Sequence, residues 1–225
     1  MSTAEPPSPS VAPDADPASG WRRAVAAVAP QGPLQVAVAV VVLAFLAGAV
    51  GYFVGTRDGR PTSDLDAQFL YDMSDHHDQA VTMAACAVSN AASPTVKDFA
   101  KEVLIFQNRE LGIMDTWLAE QGKTRPSEED RTAMAWMGMP TKVASMPGMA
   151  TDDEMAALCK ATGTEADRQF LTLMRAHHEG GIHMAEVAAE KGADPRVKDF
   201  ADTVARNQRV EVNEYTGVMK QLGYQ

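Results

Sequence analysis

Histidine and cysteine are both scarce in this chain, and basic residues are outnumbered. There are five histidines and two cysteines in 225 residues. Cys86 and Cys159 form no Cys-x-x-Cys pair, so no cysteine-built zinc site is visible. Twenty Lys and Arg face thirty Asp and Glu, a net charge of -10 with a pI near 4.9. That balance argues against a nucleic-acid partner, because phosphate binding needs a basic face. The sequence also holds no phosphate-cradling glycine loop, no zincin motif and no Ser/His/Asp or Cys/His nucleophile pattern. Catalysis is therefore unsupported, and the chain reads more readily as a binding protein than as an enzyme.

The few histidines that exist are not scattered. The stretch DAQFLYDMSDHHDQAVTM at 66–83 returns as DRQFLTLMRAHHEGGIHM at 167–184, each matched position 101 residues later. His76 and His77 become His177 and His178, and the fifth histidine, His183, lies inside the second copy at the place of Thr82. In the first copy Phe69, Met73, His76, Ala80, Met83 and Ala87 step by four and three, which is one buried stripe of an α-helix. Phe170, Met174, His177, Gly181, Met184 and Ala188 repeat it. Ser63-x-x-Asp66 and Thr164-x-x-Asp167 have capping-box spacing, so both copies are expected to start a helix in the same way. Pro94 and Pro195 then mark matched breaks, after which PTVKDFA and PRVKDFA open a second pair of helices that align without a gap. A single hairpin cannot bury its apolar face, whereas two can close a four-helix bundle.

Upstream, residues 1–33 begin with a Pro-rich, weakly apolar segment that cannot offset its ordering entropy, and a disordered tail is expected there. Leu34 to Gly55 carries no charge, and at ~1.5 Å per residue extends about 33 Å, enough for a ~30 Å hydrocarbon core. A single transmembrane helix over 34–55 is the favoured reading, with a signal peptide cleaved near Ala47-Gly48-Ala49 as the alternative. Arginines on both sides, Arg22 and Arg23 against Arg57 and Arg60, leave orientation open. The bundle domain is expected over 64–223, as repeat one (64–123), a Met-rich crossover (124–163) and repeat two (164–223). Six of the thirteen methionines fall in that crossover, either as a lid that collects metal or as plain packing.

Adjacent helical residues lie about 100° apart, so one histidine of each pair faces inward and the other flanks it. Met73, Met83, Met174 and Met184 share that face, and thioether with imidazole selects copper, Cu(I) above all. The competing reading is a set of hydrogen-bonded core histidines. His183 would enrich the second site in imidazole. Gln107, Glu110, Gln208 and Glu211 are either partners that orient the imidazoles or solvated positions. Cys86 and Cys159 either bridge, in an oxidising compartment, or remain as a buried thiol or soft ligand. Asp66 and Asp167 read as helix-start residues.

FLYDMSDHHDQAVTMA, MPGMATDDEMAAL and DRQFLTLMRAHHEGGIHMAE together resemble the bacterial family called domain of unknown function 305, over about residues 64–223. The resemblance implies a ferritin-like four-helix bundle, exported or membrane-anchored, and some members resemble CopM-type periplasmic copper-binding proteins. Carried onto this sequence, the implied ligands are His76, His77, Met83, His177, His178 and Met184, with Met73 and Met174 as candidates. The sequence departs from the family at Ser74-Asp75 and at Gly180-Gly181, where each glycine weakens the helix by ~1 kcal/mol against alanine. The expected function is extracytoplasmic copper sequestration on a single-pass anchor. The alternatives are a non-catalytic structural or interaction module and, more weakly, a ferritin-like redox enzyme.

Overall fold

The computed structural model describes residues 32–58 and 63–224, without the side chains of 53–58. It divides into two compact units, residues 1–58 and 59–225. The described part of the first is a helix, α1 (Pro33–Asp58), with proline in its opening turn. Its stretch Pro33–Tyr52 has a mean hydropathy of 2.5 with none of it buried. By length and composition it can cross a membrane, a test that a signal sequence near an N-terminus also passes. The expected disordered tail lies outside the described residues except for its last two positions, where Pro33 already begins α1. Residues 56–58 continue that helix, and 59–62 lie outside the described residues.

The second unit is all helical among its described residues, apart from two isolated bridges, and its core is the four-helix bundle expected from the repeat. Helix α2 (Asp64–Asn90) turns into α3 (Pro94–Glu120), and α5 (Thr164–Lys191) turns into α6 (Pro195–Leu222). The two hairpins meet along α2 and α5. They run antiparallel: Phe69, Leu70 and Met73 pack with Met184, Ala185 and Ala188, while Met83, Ala84 and Ala87 pack with Phe170, Leu171 and Met174. The core is thus two apolar clusters, one toward each end of this helix pair.

The helix starts differ between the copies, which corrects the expectation of matched capping boxes. Ser63 and Asp66 do form one at α2, but α5 begins at Gly163 (φ 66°) with no side-chain cap. Asp167 is otherwise engaged. Its carboxylate accepts from the amides of Ala92 and Ser93 in the turn of the other hairpin, at 2.9–3.1 Å. Asp66 does the same for Ala193 and Asp194, at 3.0–3.3 Å. Each hairpin therefore satisfies amides of its partner's turn with a buried carboxylate, the kind of charge-assisted bond that is stronger than a neutral one.

The crossover is packed rather than loose. It comprises three short 3-10 turns and α4 (Asp152–Lys160), which Thr151 and Glu154 cap as a box. One face of α2 holds it. Asp72 and Asp75 pair with Arg131, and Asp72 also accepts from the Met134 amide and the Trp136 indole, both at 2.7 Å. Gln79 bonds the amide and carbonyl of Ala150, at 2.7 and 2.9 Å. Cys86 forms a disulfide with Cys159 of α4. Met134 and Met146 are buried in the same cluster as Met73 and Met184, with Met137 and Met149 packed against it. Of the two readings left open by the sequence, hydrophobic packing describes these four methionines. Met139 is exposed.

Candidate metal centre

Four histidines lie between the two apolar clusters. His76, His77, His177 and His178 have no accessible surface, although four imidazoles on two adjacent helices are an unusual filling for a core. His76 and His177, the inner members, stack with ring centroids 3.6 Å apart and planes inclined by 30°. Met73 and Met184 flank this layer in one cluster, and Met83 and Met174 flank it in the other. Each cluster thus receives one thioether from each central helix. His183 is exposed and does not join this group. It sits one residue before the buried Met184, hence about 100° away from the inward face.

The rings divide into two kinds, although one outer nitrogen, His77 Nδ1, also has no partner. The outer rings are held from α3 and α6. His77 Nε2 lies 2.7 Å from Glu110 Oε2, and His178 Nε2 lies 3.0 Å from Glu211 Oε2, contacts related by the same offset as the repeat. His178 Nδ1 also donates to the Met174 carbonyl at 2.9 Å, and the Gln107 amide nitrogen lies 3.2 Å from its Nε2. Glu110 and Glu211 therefore orient imidazoles, one of the two roles left open by their spacing, and Gln107 lies beside one of the rings. The inner rings are poorly satisfied. His76 Nε2 meets the Pro147 carbonyl at 3.3 Å while its Nδ1 has no partner, and neither nitrogen of His177 makes a well-formed hydrogen bond, the His76 backbone offering only a weak one. Burial, reinforced by His77, lowers the pKa of His76 to about 3, and burial with His76 beside it drives that of His177 well below the usual range. Both rings are neutral at physiological pH.

Glycines let the chain close around this layer. A Cβ on Gly180 would stand 1.9 Å from the Pro147 carbonyl oxygen, and one on Gly181 would stand 2.4 Å from Gln208 Oε1 and 3.2 Å from His76 Cε1. Gly148, at φ +82°, presses on the backbone of His177. The glycine pair that weakens the helix on propensity alone is thus what admits the crossover and Gln208 to the histidines.

Among the described residues, no three His, Cys, Asp or Glu side chains converge to hold an ion. The layer holds two neutral imidazoles with poorly partnered nitrogens and two more held by carboxylates, and thioethers lie in the apolar clusters on either side. Such a set suits a soft monovalent ion and offers little to a hard one. Sequence reasoning missed Asp72, Asp75, Gln79 and Arg131, together with the bonds that Asp66 and Asp167 make to the other hairpin. For Asp72, Asp75 and Gln79 a signal existed, since they become Leu173, Ala176 and Gly180 in the second copy, which marks the face of α2 that carries the crossover.

A family model described as domain of unknown function (DUF305) matches residues 66–219. Among solved structures, the chain is similar to a DUF305 protein of Streptomyces coelicolor described as secreted, at 33% identity and a TM-score of 0.66, covering 72% of this chain and 95% of that one. It is similar to a DUF305 fragment from Deinococcus radiodurans at 29% identity and a TM-score of 0.61, covering 72% and 99%. It also resembles CopM in its Cu(I)-bound form, at 26% identity and a TM-score of 0.52, covering 69% and 96%. No curated protein gives a significant match.

Proposed function

The chain belongs to the DUF305 family, and from that premise we propose that it binds Cu(I) between its two hairpins, sequestering the ion outside the cytoplasm. His177 carries the reading: it is wholly buried, and neither ring nitrogen makes a well-formed hydrogen bond, the His76 backbone offering only a weak one. Leaving a buried polar atom unsatisfied costs roughly 1–3 kcal/mol, and such a cost in a packed core calls for an explanation, a ligand being one. His76 and His177 would supply the nitrogens, with Met73, Met83, Met174 and Met184 as the neighbouring sulfurs. His77 and His178, with Glu110 and Glu211 behind them, would complete the donor set or fix its position. Because the inner rings are already neutral, a metal need displace no proton from them. The stacked rings would have to turn for both to reach one ion. The likeness to CopM, solved with Cu(I) and with Cu(II), supports the choice of metal.

The disulfide supports an oxidising compartment, and the likeness to a protein described as secreted agrees with it. Helix α1 would then be a single-pass anchor with the bundle on the outer side. A reporter fused after Gln225 is expected to be active outside the cytoplasm, and activity only inside would reverse the topology.

The test is a Cu(I) titration of the full chain in detergent against a competing chelator. Removing all four buried imidazoles (His76→Ala, His77→Ala, His177→Ala, His178→Ala) is expected to abolish tight binding. Unchanged stoichiometry in a variant that still shows a helical melting transition would refute it. A second reading, in which the histidines serve only the core, is favoured by the stacking of His76 on His177. On that reading the melting temperature falls in the variant and is indifferent to copper in the unmodified chain.

A further inference from the structure

The histidine layer is closed on one side and nearly open on another. On the crossover side, the Pro147 carbonyl sits on His76, and Gly148 presses against His177. On the other side, the outer helices α3 and α6 leave a groove of about 300 Å³ between them. Gln107 and Gln208, nearly buried at 4% and 3% exposure, are part of its lining. Glu102, Glu110, Glu211 and Glu214 line it as well, and none of its lining residues is basic.

Two observations connect this groove to the buried rings. Glu110 and Glu211 are partly exposed, at 18% and 22%, yet each contacts an imidazole with no exposure, His77 or His178. Glu110 and Glu211 therefore touch both the groove and the layer, one in each half. Independently, Gln107 has a buried carbonyl oxygen with no partner, while its amide nitrogen lies 3.2 Å from His178. Carbonyl and carboxylate oxygens leading to nitrogen and then to sulfur form a graded series of donors. The glutamates also act on one another: burial first, then Glu214 and Glu211, raise the pKa of Glu102. Crowded like charges within a low-dielectric groove concentrate cations there and accelerate their arrival, by 10 to 10³-fold in favourable cases.

We propose that the groove between α3 and α6 is the port through which a soft monovalent cation reaches the histidine layer, drawn in by Glu102 and Glu214 and handed inward past Glu110 and Glu211. The port rests on the metal-binding reading above. It also makes a separate claim. A port lowers the barrier to passage in both directions, so it governs rates, whereas a ligand governs the equilibrium.

The experiment mixes the full chain in detergent with silver nitrate in chloride-free buffer at low ionic strength. Uptake is followed by tryptophan emission in a stopped-flow instrument, and bound silver is counted after gel filtration. The variant is Glu102→Gln with Glu214→Gln, neither of which touches a histidine. Uptake is expected to slow about tenfold, with stoichiometry unchanged and affinity altered less than about twofold. Added inert salt should slow the unmodified chain toward the variant and leave the variant nearly unaffected. Uptake as fast in the variant as in the unmodified chain would overturn the port while leaving the binding site intact. So would faster uptake in Gln79→Ala, which loosens the crossover, because that would put access on the opposite side. Loss of silver in the charge variant would make the glutamates ligands and also overturn the port. If the unmodified chain takes up no silver, the binding reading fails and the port fails with it.

Discussion

Replacing Gly180 with alanine sets two effects of opposite sign against each other. On helix propensity alone the change stabilises the α5 interior by ~1 kcal/mol. The added Cβ, however, would lie 1.9 Å from the Pro147 carbonyl oxygen and 2.5 Å from its carbon, both backbone atoms that no rotamer change can move. Relieving that overlap requires the crossover to lift from α5, at a cost typical of overpacking, about 1–3 kcal/mol. It also gives up the bond from His76 Nε2 to that carbonyl, about 1 kcal/mol more. Repulsion wins, and the net loss is about 1–3 kcal/mol. Gly112, in α3, has nothing within 4 Å of its Cβ position, so Gly112→Ala should gain the full propensity of ~1 kcal/mol. A domain of this size shifts its Tm by about 2–4 °C per kcal/mol. Thermal melts followed by circular dichroism should therefore show Gly112→Ala several degrees above the parent and Gly180→Ala several degrees below it. If both variants rise together, the crossover does not rest on α5 and the closure drawn around the histidines is wrong.

Asp167→Ala leaves the Ala92 and Ser93 amides without their acceptor, and chemical denaturation should report a loss of roughly 2–4 kcal/mol, matched by Asp66→Ala through Ala193 and Asp194; losses below about 0.5 kcal/mol would show that the reciprocal clamp is not needed. Replacing Cys86 and Cys159 with serine opens a link spanning 73 residues and should cost about 2–4 kcal/mol, with amide exchange rising first in α4; unchanged stability would mean that the crossover is held without it. The metal-free protein should lose stability on acidification. His76 is depressed to about 3 when folded against about 6.5 unfolded, so the unfolded state binds the extra proton and stability falls as pH drops from about 6.5 toward 3. The slope per neutral imidazole is about 1.4 kcal/mol per pH unit, and denaturation curves between pH 4 and 7.5 should flatten in His76→Gln. An equal slope in that variant would place the effect elsewhere.

What could be read from the sequence was what repeats. The 101-residue offset, the stripe through Phe69, Met73 and His76, and the prolines at 94 and 195 gave the helices, their pairing and the inward histidines, because periodicity and turn chemistry are local. What escaped was what the copies do to each other and where they differ. Asp66 and Asp167 look like ordinary first-turn acids, and their bonds to turns 127 and 75 residues away leave no local trace. Gly180 and Gly181 register as propensity defects until the Pro147 carbonyl and Gln208 are seen against them. His183, at the place of Thr82 in the repeat, reads as an addition to the second site, yet helical phase puts it outside. The crossover has no period, so its methionines gave no sign of lid or packing. The substitutions in one copy only, Asp72, Asp75 and Gln79, held that information in the sequence itself.

Copper K-edge absorption of the Cu(I)-loaded full chain, beside the His76→Ala/His177→Ala variant, reaches the ligands themselves. The unmodified chain should show a mixed nitrogen and sulfur shell, and the variant should lose the nitrogen scatterers or the copper altogether. A shell of light atoms alone, or the same shell in both proteins, would contradict a copper site between the hairpins.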